Sequence, residues 1–114
     1  MAEAGARDGA VAVVIPALNE ALRIRGVVEQ ALRHCPWVIV VDDGSDDGTG
    51  ERLRDLPVTV LRHPRRLGKG AALRSGFAEA ARAGARAVVT MDGDGQHRGA
   101  DIPRLLDSAN RHPG

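Results

Sequence analysis

Residues 91–97 read MDGDGQH and follow directly on Ala87, Val88, Val89 and Thr90. Side chains two apart in an extended segment point the same way, so Asp92 and Asp94 share one side, while Gly93 leaves room for a ligand to approach the backbone. Two chemistries fit. The aspartates either cap backbone N–H groups in a turn, or they hold a hard divalent cation with Gln96 as a third oxygen. Mg2+ and Mn2+ take oxygen ligands at about 2.1 Å, typically one or two carboxylates together with substrate phosphates. For an isolated D-x-D the turn is the commoner reading, so the other loops must decide.

The elements that would position these residues alternate along the chain. VAVVIP (11–16) and WVIVVD (37–42) are apolar at successive positions, as in parallel strands covered on both faces. Between them Ile24, Val27, Val28, Ala31 and Leu32 recur at helical spacing, with Asn19 as the expected N-cap and Pro36 beyond the end. A shorter helix is expected around 49–56, a third strand at 58–63, a helix over about 69–83 carrying Leu73, Gly76, Phe77 and Ala80, and a fourth strand at 85–92. A last helix would open at Asp101, with Pro103 in its first turn. This alternation predicts an α/β fold, a Rossmann-like open and mainly parallel sheet with helices on both faces.

In such a sheet ligands bind beyond the carboxyl ends of the strands. Those ends carry PALNE (16–20), DDGSDDGTGE (42–51), PRRLGKG (64–70) and DGDGQH (92–97), all polar and all but the first glycine-bearing, whereas CP (35–36), LP (56–57) and AGA (83–85) at the opposite edge offer no comparable groups. This one-sidedness favours the cation reading of Asp92 and Asp94. Asp43, Ser45, Asp47 and Gly48 match the opening of an EF-hand loop, but Arg54 stands where its bidentate Glu is required. The first loop lacks G-x-G-x-x-G, which argues against a dinucleotide site. Asp46 and Asp47 read as turn and capping residues. GKG fails as a P-loop because Gly70 replaces the Ser or Thr. Lys69, the only lysine, either faces a diphosphate at a glycine-lined helix start or is solvated. Arg65 and Arg66 read as a wet basic face. His34, His63, His97 and His112 have no metal-pair spacing.

With 114 residues, 43% of them hydrophobic, the chain has the size of one compact domain or half of a larger one. Residues 1–10 are small and polar and are expected to form a flexible tail before a domain over 11–114. A net charge of +1 gives no reason to expect nucleic acid as a partner. Cys35 is alone, which leaves a buried small hydrophobe as its reading. No apolar stretch approaches the ~20 residues of a membrane span and the start lacks a signal-peptide core, so a cytoplasmic location is expected.

VVIPALNE, IVVDDGSDDGT, RLGKGAALRSGF and MDGDGQHRGADIPRL, in this order, resemble the N-terminal half of a glycosyltransferase family 2 domain, closest to the polyprenyl-phosphate or dolichyl-phosphate sugar transferases. The resemblance runs from about Val11 to Leu106. It implies a GT-A fold and the donor-binding part of a metal-dependent enzyme that transfers a sugar, with inversion, from a UDP- or GDP-linked donor to an acceptor such as a polyprenyl phosphate at the inner membrane face.

Carried over by position, Pro16, Asn19 and Glu20 fall in the first nucleotide-contacting loop, Asp43 at the base or ribose, and Lys69 beside the nucleotide pocket. Asp92, Gly93 and Asp94 form the D-x-D motif, with Asp92, Asp94 and Gln96 as ligands of Mg2+ or Mn2+. The family often has Ala in place of Gly93, so a methyl is missing from the pocket floor. Family domains run to roughly twice this length, near the upper range of one α/β domain. The acceptor site and any catalytic base are therefore expected outside this chain. The alternative is a truncated, non-catalytic nucleotide-binding fragment. A nucleotidyltransferase of similar fold fits less well, because PALNE is not its glycine- and arginine-rich phosphate loop.

Overall fold

The computed structural model describes residues 9–93. They form β1 (Val11–Ala17), α1 (Ile24–Leu32), β2 (Val38–Asp42), a 3-10 helix (Gly50–Leu53), β3 (Thr59–Arg62), α2 (Lys69–Arg82) and β4 (Ala87–Thr90). The strands make one parallel sheet in the order β3-β2-β1-β4. The expected last helix, opening at Asp101, lies outside the described residues, as do Asp94, Gln96, His97, His112 and residues 1–8 of the expected tail.

The unbroken apolar runs of β1 and β2 are explained by their central position. Val13, Val14, Ile15, Ile39, Val40 and Val41 are all fully buried, so both faces of each strand are covered. In β1–β2 pairing Val14 sits opposite Ile39 and Pro16 opposite Val41, which sorts the side chains into two faces. The Val14–Val41 face meets α2, where a Cβ on Gly76 would collide with Val14 and lie 3.3 Å from Val41 Cγ2. The other face carries Asp42 and Val60, and there Gly50 of the 3-10 helix packs 3.1 Å from Asp42 Oδ2, again measured from an ideal Cβ. Helix α1 packs on the 3-10 helix and on β2, burying Ile24, Val27, Val28 and Ala31. Helices therefore cover both faces, as right-handed crossovers require.

Several elements differ from the sequence expectation for local reasons. Asn19 does not cap α1, which starts five residues later with Arg23 at its N-cap and no side-chain cap bond. The amides of Arg23 and Ile24 bond to Glu20 O instead, through a turn that the first loop makes before the helix begins. The helix expected over 49–56 shrinks to a 3-10 turn, since Pro57 follows and the i to i+3 bonds of Arg52, Arg54 and Leu56 tighten the segment. β3 and β4 are shorter than expected by a residue or two at each end. The pairing of β4 nonetheless continues past its bounds through Arg86 N–H to Ala10 O and Met91 N–H to Val14 O. Cys35 is buried, as its composition suggested, and burial pushes its thiol up from the ordinary range.

Two glycines give a paired test of this packing. Gly76→Ala should destabilise the fold by about 1–3 kcal/mol through overpacking against Val14. Gly26→Ala on α1 meets nothing within 4 Å and should be stabilising by about 0.5–1 kcal/mol. Urea unfolding midpoints of the two variants check the opposite signs.

Candidate active site

A cleft opens at the carboxyl edge of the sheet, and each of the four loops contributes to its wall. Pro16, Ala17, Leu18 and Glu20 come from the end of β1 and the loop after it, Asp43 from the end of β2, Arg66, Lys69 and Ala72 from the β3–α2 loop and the first turn of α2, and Asp92 and Gly93 from the end of β4. It holds about 220 Å³. Ligand pockets run to roughly 300–1,000 Å³, so the described residues build one wall of a site rather than a closed cavity.

The loop after β1 is fixed by the loop after β2. Asn19 N–H donates to Ser45 Oγ at 2.8 Å, Glu20 N–H to Thr49 Oγ1 at 2.9 Å and Ala21 N–H to Asp47 Oδ2 at 3.1 Å, while Asn19 Oδ1 accepts from Asp46 N–H at 3.0 Å. Asn19 adopts φ 52°, a left-handed conformation that Asn tolerates better than other side-chain-bearing residues. It thus holds two loops together and, unlike Pro16 and Glu20, is not part of the cleft wall. Asp47 acts as the turn residue its position suggested, accepting from the Thr49 amide and hydroxyl as well. The Thr49 hydroxyl is the chief cause that keeps its carboxyl below the usual range.

Asp42 and Asp43 leave β2 on opposite faces. Asp42 is fully buried; its Oδ1 accepts from Ser45 N–H at 2.9 Å and its Oδ2 from Arg62 Nη1 at 3.1 Å. The register makes that pair, since Arg62 stands directly opposite Asp42 in β3. Asp43 turns toward α2. Its Oδ1 meets His63 Nδ1 at 2.8 Å and accepts from Leu67 N–H at 2.9 Å, and its Oδ2 accepts from Gly68 N–H at 2.9 Å. Gly44 allows the two loops to come this close: at φ 79° it would place a Cβ 2.5 Å from the Arg65 carbonyl carbon. Burial pushes the Asp43 carboxyl up, but the bonds from His63, Leu67 and Gly68 more than offset it, and the group ends below the ordinary carboxylate range.

At the opposite wall Asp92 is half-buried, and Lys69 Nζ lies 2.9 Å from its Oδ1. Among the described residues no group of three or more His, Cys, Asp or Glu is placed to hold a metal ion. Asp92 is the one expected ligand within them, and its carboxylate faces a cleft and already draws a cation. One carboxylate plus phosphate oxygens is a donor set that Mg2+ and Mn2+ accept, so the residues present fit such an ion. Gly93 shows why a methyl is missing from the floor, because a Cβ there would stand 2.9 Å from Pro16 O and 3.1 Å from Ala17 Cβ.

The structure thus brings Pro16, Glu20, Asp43, Lys69, Asp92 and Gly93 to one cleft and leaves Asn19 behind it. Arg66 was read as solvated; it is exposed, yet it lines the cleft. His63 had no visible role and turns out to be a buried partner of Asp43.

A parallel sheet whose functional groups gather at its carboxyl edge defines the class of α/β nucleotide-binding folds. Residues 12–114 match Glycosyl transferase family 2, and the chain belongs to that family. The polyprenol monophosphomannose synthase of Mycolicibacterium smegmatis is 38% identical over 106 residues, an overlap of 86% of this chain and 40% of the relative. A UDP-N-acetylglucosamine–dolichyl-phosphate N-acetylglucosaminyltransferase of Methanococcus voltae is 32% identical, over 87% of this chain and 47% of the relative. Among solved structures, glucosyl-3-phosphoglycerate synthase of Mycobacterium tuberculosis, in complex with Mn2+, UDP and glucosyl-3-phosphoglycerate, aligns with a TM-score of 0.66 at 30% identity, over 91% of this chain and 42% of the other. The fold is GT-A. The chain spans less than half the length of these relatives.

The acid behaviour of Asp43 follows from its surroundings. Its folded pKa lies below the unfolded value of about 3.9, so its stabilisation is fully present above that value and is lost as pH falls through the depressed folded pKa. Asp43→Asn should be less stable than the wild type at pH 7, and the gap should narrow as pH falls from there through the acid range. Urea midpoints measured across that range check it; an acid limb persists in the variant because Asp47 and Asp55 are also depressed.

Proposed function

We propose that this chain carries the donor site of a divalent-metal-dependent glycosyltransferase, which moves a sugar from a nucleoside diphosphate to a polyprenyl phosphate with inversion at the anomeric carbon. The observation that carries the reading is the convergence of Asp43, Arg66, Lys69 and Asp92 on one cleft in a chain of this family. The Mn2+ and UDP named with the mycobacterial neighbour support the metal and the nucleotide class. The polyprenol- and dolichyl-phosphate relatives support the acceptor. Calorimetry with UDP and with GDP distinguishes the donor nucleotide.

The residues divide the work by chemistry. Pro16, Ala17 and Leu18 give an apolar wall against which a base or ribose packs. Asp43 lines the cleft and has about four lone-pair directions; three are used within the protein, and we assign the remaining one on Oδ2 to a base N–H or ribose hydroxyl. Arg66 and Lys69 supply positive charge where the diphosphate lies, and leaving-group charge is the feature that most needs electrostatic help. Asp92, with Asp94 and Gln96 from the adjoining segment, would hold Mg2+ or Mn2+, which when bound neutralises the diphosphate as a Lewis acid and template. A phosphate acceptor is already anionic and needs no general base, whereas a hydroxyl would need one.

No helix among the described residues is long and apolar enough to cross a membrane. The polyprenol- and dolichyl-phosphate relatives support an acceptor met at the membrane surface, which we place at its cytoplasmic face.

Asp92→Asn should lower affinity for UDP or GDP at least tenfold in the presence of Mn2+ and change it little in EDTA. Calorimetry with and without the metal measures this, and equal affinity under both conditions would remove the metal from the reading. Transfer of radiolabelled sugar to a polyprenyl phosphate separates a catalyst from a binding module.

A further inference from the structure

One buried titratable side chain has no part in the mechanism above. His63, at the end of β3, is only 9% exposed, and both of its ring nitrogens are engaged, Nδ1 by Asp43 Oδ1 and Nε2 by Ser75 Oγ, each at 2.8 Å. An ionised carboxylate only accepts, so Nδ1 carries the proton facing Asp43, and in the neutral ring Nε2 accepts from the Ser75 hydroxyl. The donor direction thus runs from α2 through the ring into the carboxylate. Asp, His and Ser in this sequence are the components of a hydrolytic triad, but Ser75 sits half-buried on α2 and does not line the cleft, so its oxygen meets no substrate.

What the carboxylate does next gives the ring its purpose. Asp43 grips two successive amides, Leu67 and Gly68. These lie between the cations of the cleft, Arg66 and Lys69, in a four-residue stretch. Gly68 has φ 107° and ψ 157°, a conformation open essentially to glycine alone, and no atom lies within 4 Å of where its Cβ would be. Its glycine is therefore required by the backbone and not by space. A segment in that conformation persists only if its surroundings hold it, and the two amide bonds to Asp43 are the hold.

We propose that His63 is the positioning residue of the cleft: by donating to Asp43 it keeps that carboxylate on the amides of Leu67 and Gly68, and so sets Arg66 and Lys69 for a diphosphate. Ser75 fixes the ring from behind. The ligand class rests on the donor-site reading given above, while the hold on the loop does not.

The test is made on the intact protein with His63→Leu, His63→Asn and Ser75→Ala. In His63→Leu the affinity for UDP or GDP with Mn2+ should fall roughly tenfold to a hundredfold, the scale of one charge-assisted hydrogen bond, while affinity for uridine or guanosine, which would meet Asp43 but neither Arg66 nor Lys69, falls by less. The Leu67 and Gly68 amides should exchange with solvent faster. His63→Asn retains an N–H close to the place of Nδ1 and should recover most of both effects, which a filler of the core would not explain.

Equal losses for diphosphate and nucleoside, or no recovery with Asn at matched thermal stability, would overturn the inference. If His63→Leu does not fold, Ser75→Ala decides: a loss of about threefold confined to the diphosphate supports the role, and unchanged affinity refutes it. A wild-type protein that binds no nucleotide would defeat the proposed function instead, and amide exchange at Leu67 and Gly68 would still settle whether His63 holds the loop.

Discussion

Two neighbouring carboxylates end the most buried strand of the sheet, and most of the carboxyl edge is arranged around supplying them with hydrogen-bond donors. A carboxylate taken out of water is costly unless bonded to donors. Asp42 and Asp43 point to opposite faces, so one cluster of donors cannot serve both. Asp42 takes Ser45 N–H and Arg62 and thereby shapes the loop that follows it. Asp43 takes His63 and two amides of the loop before α2. Arg62 and His63 are themselves adjacent, so β3 meets the alternation of β2 with an alternation of its own. Burial of the charges and order in the loops are then one requirement.

The loops are stitched in sequence around the cleft. The β2 loop accepts amides from the β1 loop through Ser45, Thr49 and Asp47, and the β3 loop is gripped by Asp43. The β4 end closes on β1, where Met91 bonds to Val14 and Gly93 lies under Pro16 and Ala17. Each loop is short and polar, and alone would gain little from any single conformation. The amide-to-side-chain bonds that join the first three loops span 24 to 29 residues, so the site is a tertiary object that needs the sheet's register before it exists.

This explains what the sequence made legible. Strand runs with no polar interruption and helices with 3.6 spacing follow from burial, and these were readable, as was the edge where the polar loops gather. The family motifs added Pro16, Glu20, Lys69, Asp92 and Gly93, which do meet. The places of Asn19 and His63 were not readable, because a bond to a partner a score or more of residues away leaves no periodicity; nor was the place of Arg66 on the cleft wall. Asn19 had the composition of a helix cap and spent its oxygen on Asp46 instead. For His63 the available signal was its place in the chain: one residue past β3 it stands beside Asp43, one residue past β2, once β2 and β3 pair in parallel.

Gly93 ties the width of the cleft floor to the course of the first strand. With Pro16 O and Ala17 occupying the volume where any larger residue would sit, the floor cannot be raised by a substitution at that point alone; the end of β1 would have to retreat with it. Any change in the size of the cleft is thereby steered away from this hard seam and toward the exposed side, where Arg66 and Lys69 stand.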